Sequence, residues 1–284
     1  MYRGMLRMKK TRVVLASLLA LSLLGIAAVA AGEVKINGST TVHPVANLLQ
    51  EWFLVNKPEI ALSIEATGSG DGISALINGT ADIAMHSRPM KNSEFGKAVE
   101  NGVFPVIYTI ARDKIAVAVH PSNPINDISL EQLYKIWMGE ITNWSEVGGS
   151  DARILVGSRD TSSGTFGVWK DLVVDGQDYA ARNVTVVASN AVMQETVASE
   201  PSAIGYVGLA YTEGLKIITV EGFSATDADY AIARPLFIST NGVPEGDVAV
   251  VVNAFMGLPG ACAVQEAKYI PIWPCDCSCE GVLP

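Results

Sequence analysis

The segment from Arg159 to Thr165 joins one permanently charged side chain to several hydroxyl groups, and an apolar, helix-compatible run with Phe166, Val168 and Trp169 follows it. At a helix N-terminus, free backbone N–H groups and the positive end of the helix dipole converge on one point. An arginine there can add a bidentate fork to two oxygens of the same anion. The segment therefore suits a small tetrahedral anion. Ser or Thr before an apolar run is also a common N-cap, so capping without a ligand is the alternative.

Three polar turns earlier in the chain follow short strands and precede helices in the same manner. We predict the strands at residues 34–36, 61–66 and 82–85. Strands that alternate with helices indicate a mainly parallel sheet, and ligands bind such sheets at the carboxyl ends of the strands. All three turns should therefore lie on one edge. They are Asn37-Gly38-Ser39-Thr40-Thr41-Val42-His43-Pro44, Thr67-Gly68-Ser69-Gly70-Asp71-Gly72 and His86-Ser87-Arg88-Pro89.

The remaining pattern predicts an α/β chain of two lobes joined by two chain crossings. The first lobe would comprise residues 33–113 and 235–274, and the second residues 114–234, with residues 275–284 as a Cys-rich tail. About 250 residues suit either one large domain or two such lobes. The other predicted elements are strands at residues 106–111, 115–120, 154–157, 184–188, 204–207 and 234–240, an extended piece at 269–272, and helices at 129–137 and 248–256, the first of which begins close to a capping box.

The start of the chain has the features of a secretory signal peptide over residues 1–31. Five basic residues precede an apolar run that ends in small residues, and either Met1 or Met8 fits as the first residue. The run is also about as long as one membrane span, so an uncleaved anchor is the alternative. No Cys lies near the end of this run, so we expect no lipid anchor attached at that point. We expect the mature protein in the periplasm or on the extracellular side of the cell.

The charge of the chain limits its partners. The formal net charge is −9, and removing five basic and no acidic residues with the signal peptide changes it to about −14. Nucleic acid is a poor candidate, because its binding depends on phosphate neutralisation by Lys and Arg. An acidic chain also repels anions at long range. An anion site must therefore act through local, oriented donors.

All four cysteines lie late in the chain, at Cys262, Cys275, Cys277 and Cys279. Export permits disulfides, and four cysteines allow three complete pairings. Cysteines two positions apart bridge poorly, so a bond from Cys262 to one tail cysteine is the most natural. A soft-metal site is the alternative. The spacing lacks Cys-x-x-Cys and no His is close in sequence, so we expect no metal.

Six segments together resemble the phosphate-binding proteins of bacterial and archaeal ABC importers, which are type II periplasmic-type binding proteins. Their order and spacing match that family over nearly all of residues 34–272. The most specific are Ile141-Thr142-Asn143-Trp144 and Arg-x-x-x-Ser-Gly-Thr at 159–165. The six are residues 38–44, 68–72, 82–89, 130–144, 159–165 and 203–208.

This resemblance implies a two-lobe clamp that closes on dehydrated inorganic phosphate and delivers it to an ABC permease. It implies a monomeric binding protein without catalysis or a cofactor. Ser39 stays open as an alternative within the first turn. The phosphate-binding residues carried over by motif are Thr40, Thr41, Ser69, Ser87, Arg159, Ser163, Gly164 and Thr165.

Phosphate differs from sulfate by its remaining proton, so discrimination requires an acceptor in the site. Some members of the family have an Asp in the third turn, where this chain has Ser87. Asp71 and Asp160 are the other candidate acceptors. Either could instead hold Arg159 in position, and we favour that role for Asp160. His86 is expected to be either packed or solvated. If it contacted the ligand, binding would depend on pH.

Two other functions remain open from the sequence. The protein could bind or sense another oxyanion, such as molybdate, tungstate or sulfate. It could also be a phosphatase with a Ser or Thr nucleophile, but no His, Lys or Asp has a convincing spacing to activate such a hydroxyl. We expect Trp137, Trp144 and Tyr206 to be packing groups.

Overall fold

The first lobe begins with the strand, polar turn and helix predicted from the sequence, repeated three times. The computed structural model describes residues 32–273 and 278–284, so the predicted signal peptide over residues 1–31, with Cys275 and Cys277, lies outside the described residues. The elements are β1 (Gly32–Gly38), α1 (His43–Asn56), β2 (Ile60–Glu65), α2 (Ser69–Ile77), β3 (Ile83–His86) and α3 (Asn92–Glu100).

One continuous strand, β4 (Pro105–Val119), replaces the two β-rich runs predicted at residues 106–111 and 115–120. The residues between the two runs stay extended, because Asp113 lies opposite Arg234 of a neighbouring strand and the two side chains form an ion pair. This strand carries the chain from the first lobe into the second.

The second lobe contains the segment from Arg159 to Thr165. The capping box predicted for its first helix is confirmed: the backbone N–H of Gln132 donates to Ser129 Oγ at 3.0 Å, and Ser129 N–H donates to Gln132 Oε1 at 2.9 Å. The elements are β5 (Asp127–Ile128), α4 (Leu130–Met138), β6 (Leu155–Arg159), α5 (Gly164–Leu172), β7 (Val184–Val187), α6 (Asn190–Ser199), β8 (Ala203–Gly208) and β9 (Lys216–Val220), with short 3-10 turns at Trp144–Val147 and Leu209–Tyr211.

The chain returns to the first lobe through β10 (Ala233–Asn241), which pairs with β4 along its length. It ends in α7 (Gly246–Met256), α8 (Leu258–Glu266) and the short β11 (Ile270–Pro271). The strand order is β2-β1-β3-β10-β4-β8-β6-β7. The pairs β1–β3, β6–β7 and β6–β8 are parallel, whereas every antiparallel pairing of two named strands that is described within residues 32–273 includes β4 or β10. The predicted two-lobe α/β fold is confirmed.

Separate hydrophobic clusters fill the two lobes. One cluster draws its buried residues from Ile115 to Ile232, and another combines buried residues between Val34 and Ala111 with residues between Leu236 and Tyr269. Trp137, Trp144 and Tyr206 are at most 2% exposed, which confirms them as packing groups. The exact lobe boundaries stay a prediction.

The predicted bond from Cys262 to a tail cysteine is confirmed and joins Cys279. In the described part of the chain, no group of three or more His, Cys, Asp or Glu side chains is placed to share a metal ion. Nor does any single helix there have the length and hydropathy to cross a membrane. Helices α7 and α8 meet the length and hydropathy criteria only when they are taken together, and a 55° bend separates them.

Candidate functional site

A set of buried polar side chains lies where the strand ends of the two lobes meet. Each is at most 5% exposed, although burying polar groups without partners is costly. The residues come from the turns after β1 and β3, from the N-termini of α2, α5 and α6, from the end of β6, and from the crossing strands β4 and β10. This polar cluster comprises Thr40, Thr41, Ser69, Ser87, Asp113, Arg159, Ser163, Thr165, Asn190 and Arg234.

The first turn presents two hydroxyls and uses a third to hold the turn that precedes α1. Ser39 Oγ accepts from the backbone N–H groups of Thr41, at 3.1 Å, and Val42, at 3.4 Å, as α1 begins. The hydroxyls of Thr40 and Thr41 instead take part in bonds within the polar cluster.

The second and third turns place their serines side by side. Ser69 Oγ lies 3.3 Å from Ser87 Oγ and accepts from the backbone N–H of Ser87 at 3.0 Å. Helix α2 packs closely against β1 because residue 72 is glycine. A Cβ at this position would lie 2.4 Å from the carbonyl oxygen of Asn37. The second turn is thus held directly against the first.

The opposite lobe contributes the N-terminus of α5. Ser163 Oγ accepts from Phe166 N–H at 3.2 Å, so the capping role considered from the sequence is present. The cap leaves the first N–H groups of the helix without intrahelical partners. Gly164 lies so close to the first lobe that a Cβ would be 2.3 Å from Ser69 Oγ and 2.5 Å from Ser87 Oγ.

Arg159 is a buried cation held by backbone carbonyls. Its Nε donates to Val187 O at 3.0 Å, and Nη2 donates to Ala188 O at 2.8 Å and to Thr40 Oγ1 at 3.3 Å. Nη1 is buried and has no hydrogen-bond partner among the described residues. Burial lowers the pKa of Arg159, as expected for a desolvated cation without a bonded carboxylate.

The prediction that Asp160 holds Arg159 is wrong. Asp160 Oδ1 accepts from Ser162 N–H at 2.8 Å and from Ser162 Oγ at 2.6 Å, so its carboxylate fixes the turn instead. Ser162 is only two positions from Asp160 in the chain, whereas the guanidinium of Arg159 extends toward the carbonyls of Val187 and Ala188 at the end of β7. The other candidate acceptor, Asp71, is exposed.

The two lobes contact each other directly across this site. Thr41 Oγ1 lies 3.1 Å from Thr165 Oγ1, and Gly70 N–H donates to Ser162 O at 2.8 Å. Tyr211 donates its hydroxyl proton to Thr40 O at 2.8 Å. These bonds join side chains and backbone of opposite lobes, so the cleft is closed.

Sequence reasoning missed Asn190. Its Nδ2 donates to Thr40 Oγ1 and to Thr41 Oγ1, both at 3.0 Å, and its Oδ1 accepts from Gly208 N–H at 3.3 Å. Asn190 begins α6 directly after Ser189, which caps that helix. Strand β7, the turn at Ser189 and helix α6 therefore repeat the strand, polar turn and helix pattern of the other binding turns. That repetition is the signal that could have identified Asn190.

Arg234 and Asp113 were also missed. Arg234 Nη2 donates to Thr41 Oγ1 at 3.1 Å and to Asp113 Oδ2 at 2.8 Å. The polar cluster therefore contains a second fixed cation besides Arg159. Burial raises the pKa of Asp113, and the charge of Arg234 opposes this rise. An arginine inside an apolar strand at a predicted lobe crossing was the available signal.

Of the two states expected for His86, packed or solvated, the structure shows the packed one. Its ring nitrogens hydrogen-bond to Arg88 O, at 2.8 Å, and Ser239 Oγ, at 2.7 Å, and the ring stacks on Phe237. Burial lowers the pKa of His86 to about 4. Arg88 pairs with Glu94 at 2.7 Å.

The arrangement favours an anion. Two arginines and one aspartate leave the polar cluster with one formal positive charge, surrounded by hydroxyls that can donate or accept. The one carboxylate in the cluster already accepts from Arg234 and from Leu209 N–H. No His, Lys or free carboxylate in the cluster is positioned to activate a hydroxyl as a nucleophile.

Comparison with known proteins gives consistent matches. A model of the PBP superfamily domain matches residues 26–256. The phosphate-binding protein PstS of Borreliella burgdorferi is 32% identical over 257 residues, covering 84% of this chain and 90% of that protein. PstS of Bacillus subtilis is 28% identical over 254 residues, covering 86% and 82%.

Two solved structures are similar along their whole length. An ABC transporter substrate-binding protein from Clostridium perfringens, solved with bound phosphate, has a TM-score of 0.77 at 29% identity and covers 85% of this chain and 100% of that one. An ABC-type phosphate transport receptor from Vibrio cholerae has a TM-score of 0.66 at 30% identity, with the same coverage.

Proposed function

Because the chain belongs to the PBP superfamily and, within it, to the PstS family of phosphate-binding proteins, we propose that it captures inorganic phosphate between its two lobes and delivers it to an ABC permease for import. It would act as a monomer after export, in the periplasm or at the outer face of the cell. The signal peptide over residues 1–31 is part of this proposal.

The observation that carries the proposal is the environment of Arg159. Among residues 32–273 and 278–284, Nη1 of this buried guanidinium has no partner and no carboxylate bonds to the group, which is costly unless an anion joins it. Hydroxyls from both lobes and the N-terminus of α5 surround the same place. A small oxyanion would satisfy these donors together.

We propose a division of labour among the binding residues. Arg159 supplies the net charge, and Gly164 allows the backbone N–H groups at the start of α5 to approach the anion. The hydroxyls donate to oxygen atoms and, where a lone pair is free, accept the proton that phosphate retains. They belong to Thr40, Thr41, Ser69, Ser87, Ser163 and Thr165.

The lobes would open and close about the crossing strands. We propose residues 33–113 with 235–274 as one lobe and residues 114–234 as the other, since the separate hydrophobic clusters support this division. The bonds from Thr41 to Thr165 and from Gly70 to Ser162 would form as the cleft closes.

We also propose that the protein is not an enzyme. The hydroxyl of Ser163 already accepts from Phe166 N–H, and the polar cluster supplies no base beside it. Incubation with a chromogenic phosphate ester should release no product above the background rate. Turnover that disappears in the S163A variant would overturn this part of the proposal.

Calorimetry on the purified exported protein, first stripped of copurifying anion, tests the proposal. Phosphate should bind with measurable heat, and it should outcompete sulfate, molybdate and tungstate. Absence of any phosphate signal in the stripped protein would reject phosphate binding. Preferential binding of one of the other anions would instead support the role of a different oxyanion carrier.

A further inference from the structure

We propose that Arg234, paired with Asp113, is a positioning residue that makes the Thr41 hydroxyl an obligatory proton donor to the bound anion. This role rests on the proposed function, because it concerns the same anion site. It is distinct from the role of Arg159. Arg234 would direct a hydrogen bond, whereas Arg159 would supply net charge.

The ion pair lies on the two strands that connect the lobes. Arg234 of β10 and Asp113 of β4 face each other in the strand register, and their side chains are 1% and 0% exposed. Asp113 Oδ2 accepts from Arg234 Nε at 3.0 Å and from Nη2 at 2.8 Å. The carboxylate neutralises the guanidinium, so the pair adds no net charge to the site.

The other edge of the guanidinium reaches hydroxyls of the first lobe. Arg234 Nη2 donates to Thr41 Oγ1 at 3.1 Å, and Nη1 makes a longer contact of 3.4 Å with Ser87 Oγ. Arg234 has no proton-accepting atom. Both hydroxyl oxygens must therefore act as acceptors toward it, which leaves their own protons free to point elsewhere.

Counting lone pairs fixes the direction of the Thr41 hydroxyl. A hydroxyl oxygen has two lone pairs and one proton. At Thr41, Arg234 Nη2 takes one lone pair and Asn190 Nδ2, at 3.0 Å, takes the other. The proton must be donated. In the closed cleft its acceptor is Thr165 Oγ1 at 3.1 Å, and an anion oxygen would replace or share it.

A donor whose direction is already set loses less freedom when the ligand binds. Thr41 would therefore bind an unprotonated oxygen of the anion more strongly than a freely rotating hydroxyl could. The effect of Arg234 on affinity should pass through the hydroxyl of Thr41. The effect of Arg159 should not, since its contact in the first lobe is with Thr40.

A double-mutant cycle on the whole exported protein tests this role, with phosphate affinity measured by calorimetry. The R234Q/D113N double variant removes both charges together and leaves no buried unpaired ion. It should weaken phosphate binding about tenfold when residue 41 is threonine, and less than about threefold in a T41V background. T41S, which keeps the hydroxyl, should restore the full effect.

Two further variants keep the test decisive. R234K retains a charge beside Asp113 but shortens the reach to Thr41, so it should reproduce the loss even if the double variant folds poorly. R159Q should weaken binding by the same factor with threonine or valine at position 41.

Equal losses from R234K in both backgrounds would overturn the positioning role and leave phosphate binding intact. Failure of the unsubstituted protein to bind phosphate would instead reject the proposed function, and this role with it.

Discussion

Arg159 illustrates how one side chain can define a site. Its Nε and Nη2 are satisfied by the carbonyls of Val187 and Ala188, which hold the guanidinium in place without neutralising it. A carboxylate in that position would have cancelled the charge. Carbonyl ligands position the cation and leave its charge available to an anion.

We predict that R159Q weakens phosphate binding by at least about 30-fold, because it removes a buried charge-assisted hydrogen bond. R153Q, which makes the same change at an exposed position of the second lobe, should bind like the unsubstituted protein. Calorimetric titration of R159Q, R153Q and the unsubstituted protein with phosphate tests this prediction. Binding by R159Q within about threefold of the unsubstituted protein would contradict the role of Arg159.

His86 supports the third turn from behind. Its ring bridges Arg88 O and Ser239 Oγ, so it links the turn that carries Ser87 to strand β10. The ring is fully buried, and burial lowers its pKa from the ordinary 6.5 to about 4. The unfolded chain therefore takes up this proton at higher pH than the folded protein does.

We predict that this histidine lowers the free energy of unfolding as the pH falls from 6.5 to 4. The stabilisation is complete above pH 6.5, and the loss reaches about 3 kcal/mol near the folded pKa. Urea unfolding at pH 7, 5.5 and 4.5 should show a shallower pH dependence in H86Q. H120Q, which alters a half-buried histidine just after β4, is the matched control substitution. An unchanged slope in H86Q would disprove the prediction.

At the scale of elements, the N-terminus of α5 serves both as a helix cap and as a contact surface between the lobes. Ser163 satisfies one N–H of the helix, and Gly164 brings its backbone against Ser69 and Ser87. The two interpretations of this segment therefore describe one structure. The cap orders the same N–H groups that an anion would use.

We predict that G164A prevents full closure of the cleft, because the added methyl group would overlap Ser69 Oγ and Ser87 Oγ. Phosphate affinity should fall by at least about 100-fold, and small-angle scattering should show no compaction on adding phosphate. The helix itself should not be weakened, since Ala is the better helix former.

The matched control for that change is G96A in α3, where a Cβ meets nothing within 4 Å. It should leave phosphate binding unchanged and raise the free energy of unfolding by about 0.5–1 kcal/mol. Normal phosphate binding by G164A would show that the close approach of α5 is not required.

At the scale of the whole molecule, two features connect distant parts of the chain. The crossing strands β4 and β10 join the lobes and carry the Asp113–Arg234 pair beside the site. The disulfide from Cys262 to Cys279 ties the tail to helix α8, and Leu283 packs against the core of the first lobe. Residues 278–284 are thus part of the folded lobe.

We predict that the Cys262–Cys279 bond contributes about 3 kcal/mol to stability, since it closes a loop between cysteines 17 residues apart. In a background with serine at positions 275 and 277, C279S should lower the thermal midpoint and leave phosphate affinity unchanged. Reductant should lower the midpoint of the parent and have no effect on C279S. A parent midpoint that is insensitive to reductant would refute the prediction.

Local signals predicted most of the fold. The strand, polar turn and helix repeats, the capping box at Ser129 and the approximate bounds of the helices follow from neighbours in the chain, because capping and apolar spacing act over a few residues. The prediction of two runs in place of β4 was wrong, because the centre of this strand pairs with β10 through Asp113 and Arg234, which are 121 positions apart.

The two-lobe α/β class, the turns that carry hydroxyls and the segment beginning at Arg159 could all be predicted from short-range patterns of residues. Which side chains meet in the polar cluster depends on contacts between distant parts of the chain. Arg234 and Thr41 are 193 positions apart, and Asn190 and Thr40 are 150 positions apart. Their hydrogen bonds exist only because chain crossings bring the lobes together, which no local pattern encodes.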